Sequence, residues 1–128
     1  MIRSGLVLAP LRLGLPAMKR FGALTLEFEA AGAHVRGTEY WHLFILGVAP
    51  ERQGQGVGSR LIAPVLAAAD RSGQLCYLET LEERNLAFYA RHRFTVGEHV
   101  QRRGLPGFWT MVRLPASTGV RSRLRPRR

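Results

Sequence analysis

The stretch Gln53–Ser59, QGQGVGS, spaces glycines at 54, 56 and 58 in front of an amphipathic run. Glycine lets the backbone take positive φ and lets a ligand approach without meeting a Cβ. The first N–H groups of a helix have no partner inside it, and the aligned peptide dipoles add partial positive charge at that end. The chemistry this favours is anion binding, with a phosphate held mostly by main chain. Arg52 and Arg60 stand beside the stretch and can add charge-assisted contacts. His34, His92 and His99 show no metal-ligand spacing, so no metal is expected. Cys76 is the lone cysteine, which excludes an internal disulfide. It reads as a small core hydrophobe and fits a reducing compartment, hence a cytoplasmic location.

The elements around this loop follow from hydrophobic period and breakers. Tyr40–Val48 is apolar and aromatic with little polar interruption, which predicts a strand covered on both faces. Ala49–Gln55 is the loop. Val57–Ser72 predicts a helix with Leu61, Ile62, Val65, Leu66 and Ala69 inward and Gly73 past its end, kinked or short of a hydrogen bond at Pro64. Leu75–Glu79 predicts a short buried strand, and Asn85 is placed to cap a third helix through Arg91. Phe94–Val100 and Phe108–Leu114 predict strands joined by a Gly/Pro-containing turn. Before Tyr40, Pro16 suits a helix start and Met18, Phe21, Leu24 and Phe28 recur as on a buried face, with Gly32 as the stop. The result is an α/β chain with a mixed sheet, a central βαβ unit and a C-terminal antiparallel hairpin. In such sheets ligands sit at the carboxyl ends of parallel strands.

Composition fits one domain: 128 residues with a 46% hydrophobic fraction. No apolar run reaches the ~18 residues a membrane helix needs. Half of the net charge of +10 lies in the last eight residues, where five arginines stand without an acid. That tail, 116–128, reads as disordered, and nucleic acid is an unfavoured partner because the body lacks basic–aromatic interleaving. Residues 1–39 then form a partial helical region and 40–115 the core.

QGQGVG at Gln53–Gly58 resembles the Q/R-x-x-G-x-G/A signature of the GCN5-related N-acetyltransferases, the GNAT family. The resemblance continues through YLET at 77–80 and RNLAFYARHRF at 84–94, in family order from Trp41 to Leu114, and is nearest to puromycin N-acetyltransferase-like members. It implies acetyl transfer from acetyl-CoA to a small-molecule amine. By the same resemblance the pyrophosphate lies on main-chain N–H groups of Gln53, Gly54, Gln55, Gly56, Val57, Gly58 and Ser59. Leu46, Gly47 and Val48 contact the pantetheine amides, Asn85 lies near the pantetheine arm, and Tyr89 protonates the departing thiolate. A phenol suits that step because the leaving sulfur becomes basic as the thioester breaks.

The implied reaction also needs a proton acceptor. Glu79, at the carboxyl end of its strand, is the first candidate, and His42, on the strand before the loop, is the second. Two departures from the family stand out. Only 39 residues precede Tyr40, where the family places two helices and up to three strands. This leaves open a natural short form, a fragment or a misplaced start codon, and with them a non-catalytic acetyl-CoA-binding module. A homodimer would cover the sheet edge so exposed. The second departure is Arg93-Phe94 where the family has Gly-Phe, which costs roughly 1 kcal/mol if that backbone needs φ > 0.

Overall fold

Four strands form one mixed sheet in the order β1-β2-β4-β3. The computed structural model describes residues 9–35 and 37–116, with side chains from residue 14 onward. The Arg-rich tail therefore lies outside the described residues, save for Ala116. The elements are α1 (Ala9–Ala31), β1 (Tyr40–Leu43), α2 (Val57–Ser72), β2 (Leu75–Thr80), α3 (Arg84–Arg91), β3 (Thr95–Val100) and β4 (Phe108–Arg113). β1 and β2 run parallel, paired from Tyr40↔Leu75 to Leu43↔Leu78. β4 is antiparallel to both β2 and β3. The predicted α/β architecture, βαβ unit and terminal hairpin are all present.

Alternation along β2 assigns the two faces. Cys76 and Leu78 point to one side, where Ile62, Leu66 and Ala69 of α2 join Tyr89, Phe94 and Met111 in the main core. Each large apolar side chain buried there is worth about 1.5–3 kcal/mol. Tyr77 points the other way, towards Gly32 and His34 at the end of α1. On that face Leu24 and Phe28 of α1 cover Val100 and Phe108, and Phe28 meets the Phe108 ring edge-on at 4.7 Å.

Four expectations are corrected. The strand expected over Tyr40–Val48 stops at Leu43, and it is an edge strand with Trp41, Phe44 and Ile45 exposed, rather than one covered on both faces. β2 pairs with β1 only through Leu78, so the chain beyond Leu43 has no neighbour to extend the ladder. Leu61 and Val65 are exposed, because only the stripe of Ile62, Leu66 and Ala69 faces the sheet. Phe21 is likewise exposed, since α1 contacts the sheet along the Leu24–Phe28–Ala31 stripe. Asn85 is not the cap of α3: the helix begins at Arg84, with Glu83 in the N-cap position. Pro64 lies inside α2, which runs to Ser72 as expected, while Gly14 carries the kink in α1 with φ 75°. Among the described residues no helix is long and apolar enough to cross a membrane.

Candidate functional site

The glycine loop is braced before it reaches α2. A 3-10 turn, Pro50–Arg52, precedes it, and the Gln53 N–H is spent on Pro50 O at 3.3 Å. The Gln53 side chain donates to Val48 O at 3.1 Å, and Gln55 Nε2 donates to Glu51 O at 3.0 Å. The two glutamines thus hold the loop's shape. Gly54 and Gly56 take φ of 71° and 75°, a region costly for residues with a Cβ. Helix α2 makes its first internal bond from Arg60 N–H to Gly56 O at 3.1 Å. The N–H groups of Val57, Gly58 and Ser59 consequently have no partner within the helix. Gly58 serves a different need: a Cβ there would stand 3.2 Å from Phe88 Cζ, so the glycine lets α2 close on α3.

These N–H groups front a cavity of about 450 Å³ between the loop, α2 and α3. Of the residues singled out above, Leu46, Val48, Gln53, Gly54, Gly56, Val57, Gly58, Ser59, Asn85 and Tyr89 line it, together with Arg52. Gly47, Gln55 and Arg60 do not. Asn85 donates from Nδ2 to Thr80 Oγ1 at 3.1 Å, which ties α3 to the end of β2. Tyr89 is buried, and that burial raises its pKa, so the phenol keeps its proton. Ser59 Oγ lies 2.9 Å from His92 Nε2. Burial and then the charges of Arg91 and Arg113 push the His92 imidazole below its ordinary range, towards the neutral form.

Sequence reasoning missed Arg84 and Arg91, which also line the cavity. Their signal was present: Arg84, Phe88 and Arg91 recur at i, i+4 and i+7 on one helical face. Three arginines, unpartnered helix N–H groups and an apolar wall from Leu46 to Phe88 suit a long ligand with phosphates at one end. A CoA thioester meets that description.

Glu79 is not in this cavity. It shares the opposite face of β2 with Tyr77 and accepts a 2.7 Å contact with His42 Nε2. The carboxylate side chain is 4% exposed and the imidazole 35%, so the acid is the inner member of the pair. Past Leu43 and Leu78 the two parallel strands part. Glu79 and Thr80 pair only with β4, while residues 44–48 carry no ladder bonds to β2. This leaves a slot in the ladder between the two strands. Leu46 and Val48 line the large cavity on one side, and Phe44 and Glu79 line a smaller one on the other.

The family model for the acetyltransferase (GNAT) domain matches residues 20–96. A solved structure from Corynebacterium glutamicum, described as histone acetyltransferase HPA2 and related acetyltransferase, has a TM-score of 0.55 at 25% identity. The match covers 66% of this chain and 46% of that one. A structure from Agrobacterium tumefaciens, described as an acetyltransferase, has a TM-score of 0.49 at 22% identity over 57% of this chain and 56% of that one. The chain thus spans about half the length of the solved structures it matches. Because the family model spans more than half of its 128 residues, the chain belongs to the GNAT acetyltransferase family.

Proposed function

We propose that this protein moves the acetyl group of acetyl-CoA directly to a primary amine of a small molecule. The observation that carries the reading is the slot between β1 and β2, with Tyr89 on one side and the His42–Glu79 pair on the other. The main-chain N–H groups at the start of α2, with Arg52, hold the pyrophosphate, and the residue 46–48 backbone takes the pantetheine amides. Acetyl-CoA supplies an activated acyl carbon at the slot. His42 and Glu79 accept the amine's proton as nitrogen bonds to that carbon. The C–S bond then breaks, and Tyr89 gives its proton to the departing sulfur. The resemblance to puromycin N-acetyltransferase-like members makes an aminonucleoside the first acceptor to try. The lone free thiol Cys76 supports a cytoplasmic setting.

The test is acetyl-CoA titration by calorimetry, followed by thiol release with a panel of primary amines. Binding with turnover on at least one amine is expected. Binding without turnover on any amine would leave an acetyl-CoA-binding module instead. Glu79→Gln and His42→Ala should each lower turnover and alter its pH profile. Wild-type turnover across pH in both variants would remove the pair from the proton-accepting role.

A further inference from the structure

Ser59 lines the large cavity at the start of α2, and His92 stands behind it, outside the lining. The backbone of His92 is pinned at both ends: its N–H donates to Tyr89 O at 2.9 Å, and its carbonyl accepts from Arg113 Nε at 3.1 Å. The Phe88 ring lies 5.0 Å from the imidazole. Among the described residues, the imidazole's hydrogen bond is the 2.9 Å contact between Nε2 and Ser59 Oγ. That contact has two forms with opposite consequences for the cavity. With Nε2 bare, Ser59 donates its only hydrogen to the ring and offers a ligand lone pairs. With Nε2 protonated, the ring donates to Ser59 Oγ, and the hydroxyl hydrogen is released towards the cavity. An anion selects the second form.

We infer that His92 is a positioning residue for the cofactor: it holds Ser59 as a donor to the pyrophosphate and takes up a proton as that anion binds. The inference rests on the acetyl-CoA reading and deepens it. The charged groups around the ring are Arg91 on α3 and Arg113 on β4, while the Asp70 carboxylate of α2 is occupied by Arg113 and Ala116. Burial, then the two arginines, hold the free imidazole below its ordinary range, so the empty protein starts with His92 neutral at pH 7. A phosphate on the Ser59 hydroxyl places opposite charge about 4–6 Å from the ring, where it raises a histidine pKa by about 1–3 units. The complex therefore binds the proton more tightly than the free protein does. Affinity is flat above the bound-state pKa, rises as pH falls through it, and levels off below the free-state pKa.

The probe is 3′-dephospho-CoA, which keeps the pyrophosphate but lacks the phosphomonoester that itself titrates near pH ~6. Calorimetry of the full chain in buffers of different ionisation enthalpy counts the protons taken up. Wild type should take up a measurable fraction of a proton between pH 5.5 and 8.5 and bind about tenfold tighter at the lower end. His92→Gln keeps a side-chain N–H donor for Ser59 Oγ but cannot titrate. It should hold affinity within about threefold at pH 8.5 and lose both the uptake and the pH dependence. In wild type, the His92 ring signal should titrate at higher pH with the probe bound, a readout that needs no variant to fold. Binding without proton uptake, or uptake that persists in His92→Gln, would overturn the assignment and leave the acetyl-CoA reading standing. Uptake that His92→Gln abolishes, without turnover on any amine, would support His92 and sink acetyl transfer. No binding of dephospho-CoA or acetyl-CoA would remove both.

Discussion

Tyr89 belongs at once to the core and to the wall of the proposed site. It packs with Phe94 in the main core and still lines the cavity, and burial raises its pKa. A phenol held protonated above its ordinary range is in the state a general acid needs at neutral pH. Tyr89→Phe should lower kcat about a hundredfold and leave acetyl-CoA affinity unchanged, as single-turnover kinetics beside calorimetry would show. A kcat within twofold of wild type would reduce Tyr89 to a packing residue. The glycines mark what was legible at this scale. Their spacing marked a tight turn into a helix, but it could not say that Gly54 and Gly56 supply positive φ while Gly58 makes room for Phe88. That last constraint comes from a ring thirty positions away, and no local pattern encodes it.

Among the elements, the turn from α3 to β3 was the most informative. Phe94 N–H bonds Tyr89 O at 3.1 Å and Arg93 N–H bonds Ala90 O at 2.9 Å, the paired bonds of a left-handed helix stop. The residue in the left-handed position is Arg93, at φ 68°. The conditional cost read from Arg93-Phe94 therefore applies. Arg93 recovers part of it through a 3.3 Å bond from Nη2 to Leu114 O. Arg93→Gly should stabilise the fold by about 0.5–1 kcal/mol, which urea denaturation would measure; destabilisation would mean that the Leu114 contact outweighs the strain. Element types and order were readable from period and breakers. Two things were not: where β1 ends, and which stripe of α2 is covered. Tyr40–Val48 is uniformly apolar, so its composition carries no mark at Leu43; the partner strand's path decides. Leu61 and Val65 satisfy the same helical period as Ile62 and Leu66, and only the position of the sheet distinguishes them.

At the scale of the whole molecule, the Arg113–Asp70 ion pair joins parts that lie far apart in sequence. Arg113 grips Asp70 through two bonds of 2.8 Å, donates from Nε to His92 O at 3.1 Å, and so links the ends of α2, α3 and β4. The Ala116 N–H adds a third donor to Asp70, also at 2.8 Å. Arg113's hydrogen bonds, then Ala116's, hold the Asp70 carboxyl at about 2 instead of 3.8. The unfolded chain takes up this proton more readily, so the lock's contribution is complete above pH 3.8 and is lost as pH falls towards 2. Asp70→Asn should lower Tm at neutral pH and flatten this acid limb; thermal melts that keep the wild-type limb would assign it to other carboxylates. The edge strand contrasts with that lock. β1 is held from one side by four registered pairs, with side-chain ties from Trp41 Nε1 to Gln74 Oε1 at 2.9 Å and from His42 Nε2 to Glu79 Oε2 at 2.7 Å. Its amides should exchange with solvent well ahead of those in β2 and β4. The wall that continues from β1 into both cavities can then dissolve and re-form while the rest of the protein stays folded. The lifetime of the intact site is set at this margin, and a bound ligand would lengthen it by penalising each opening of the edge.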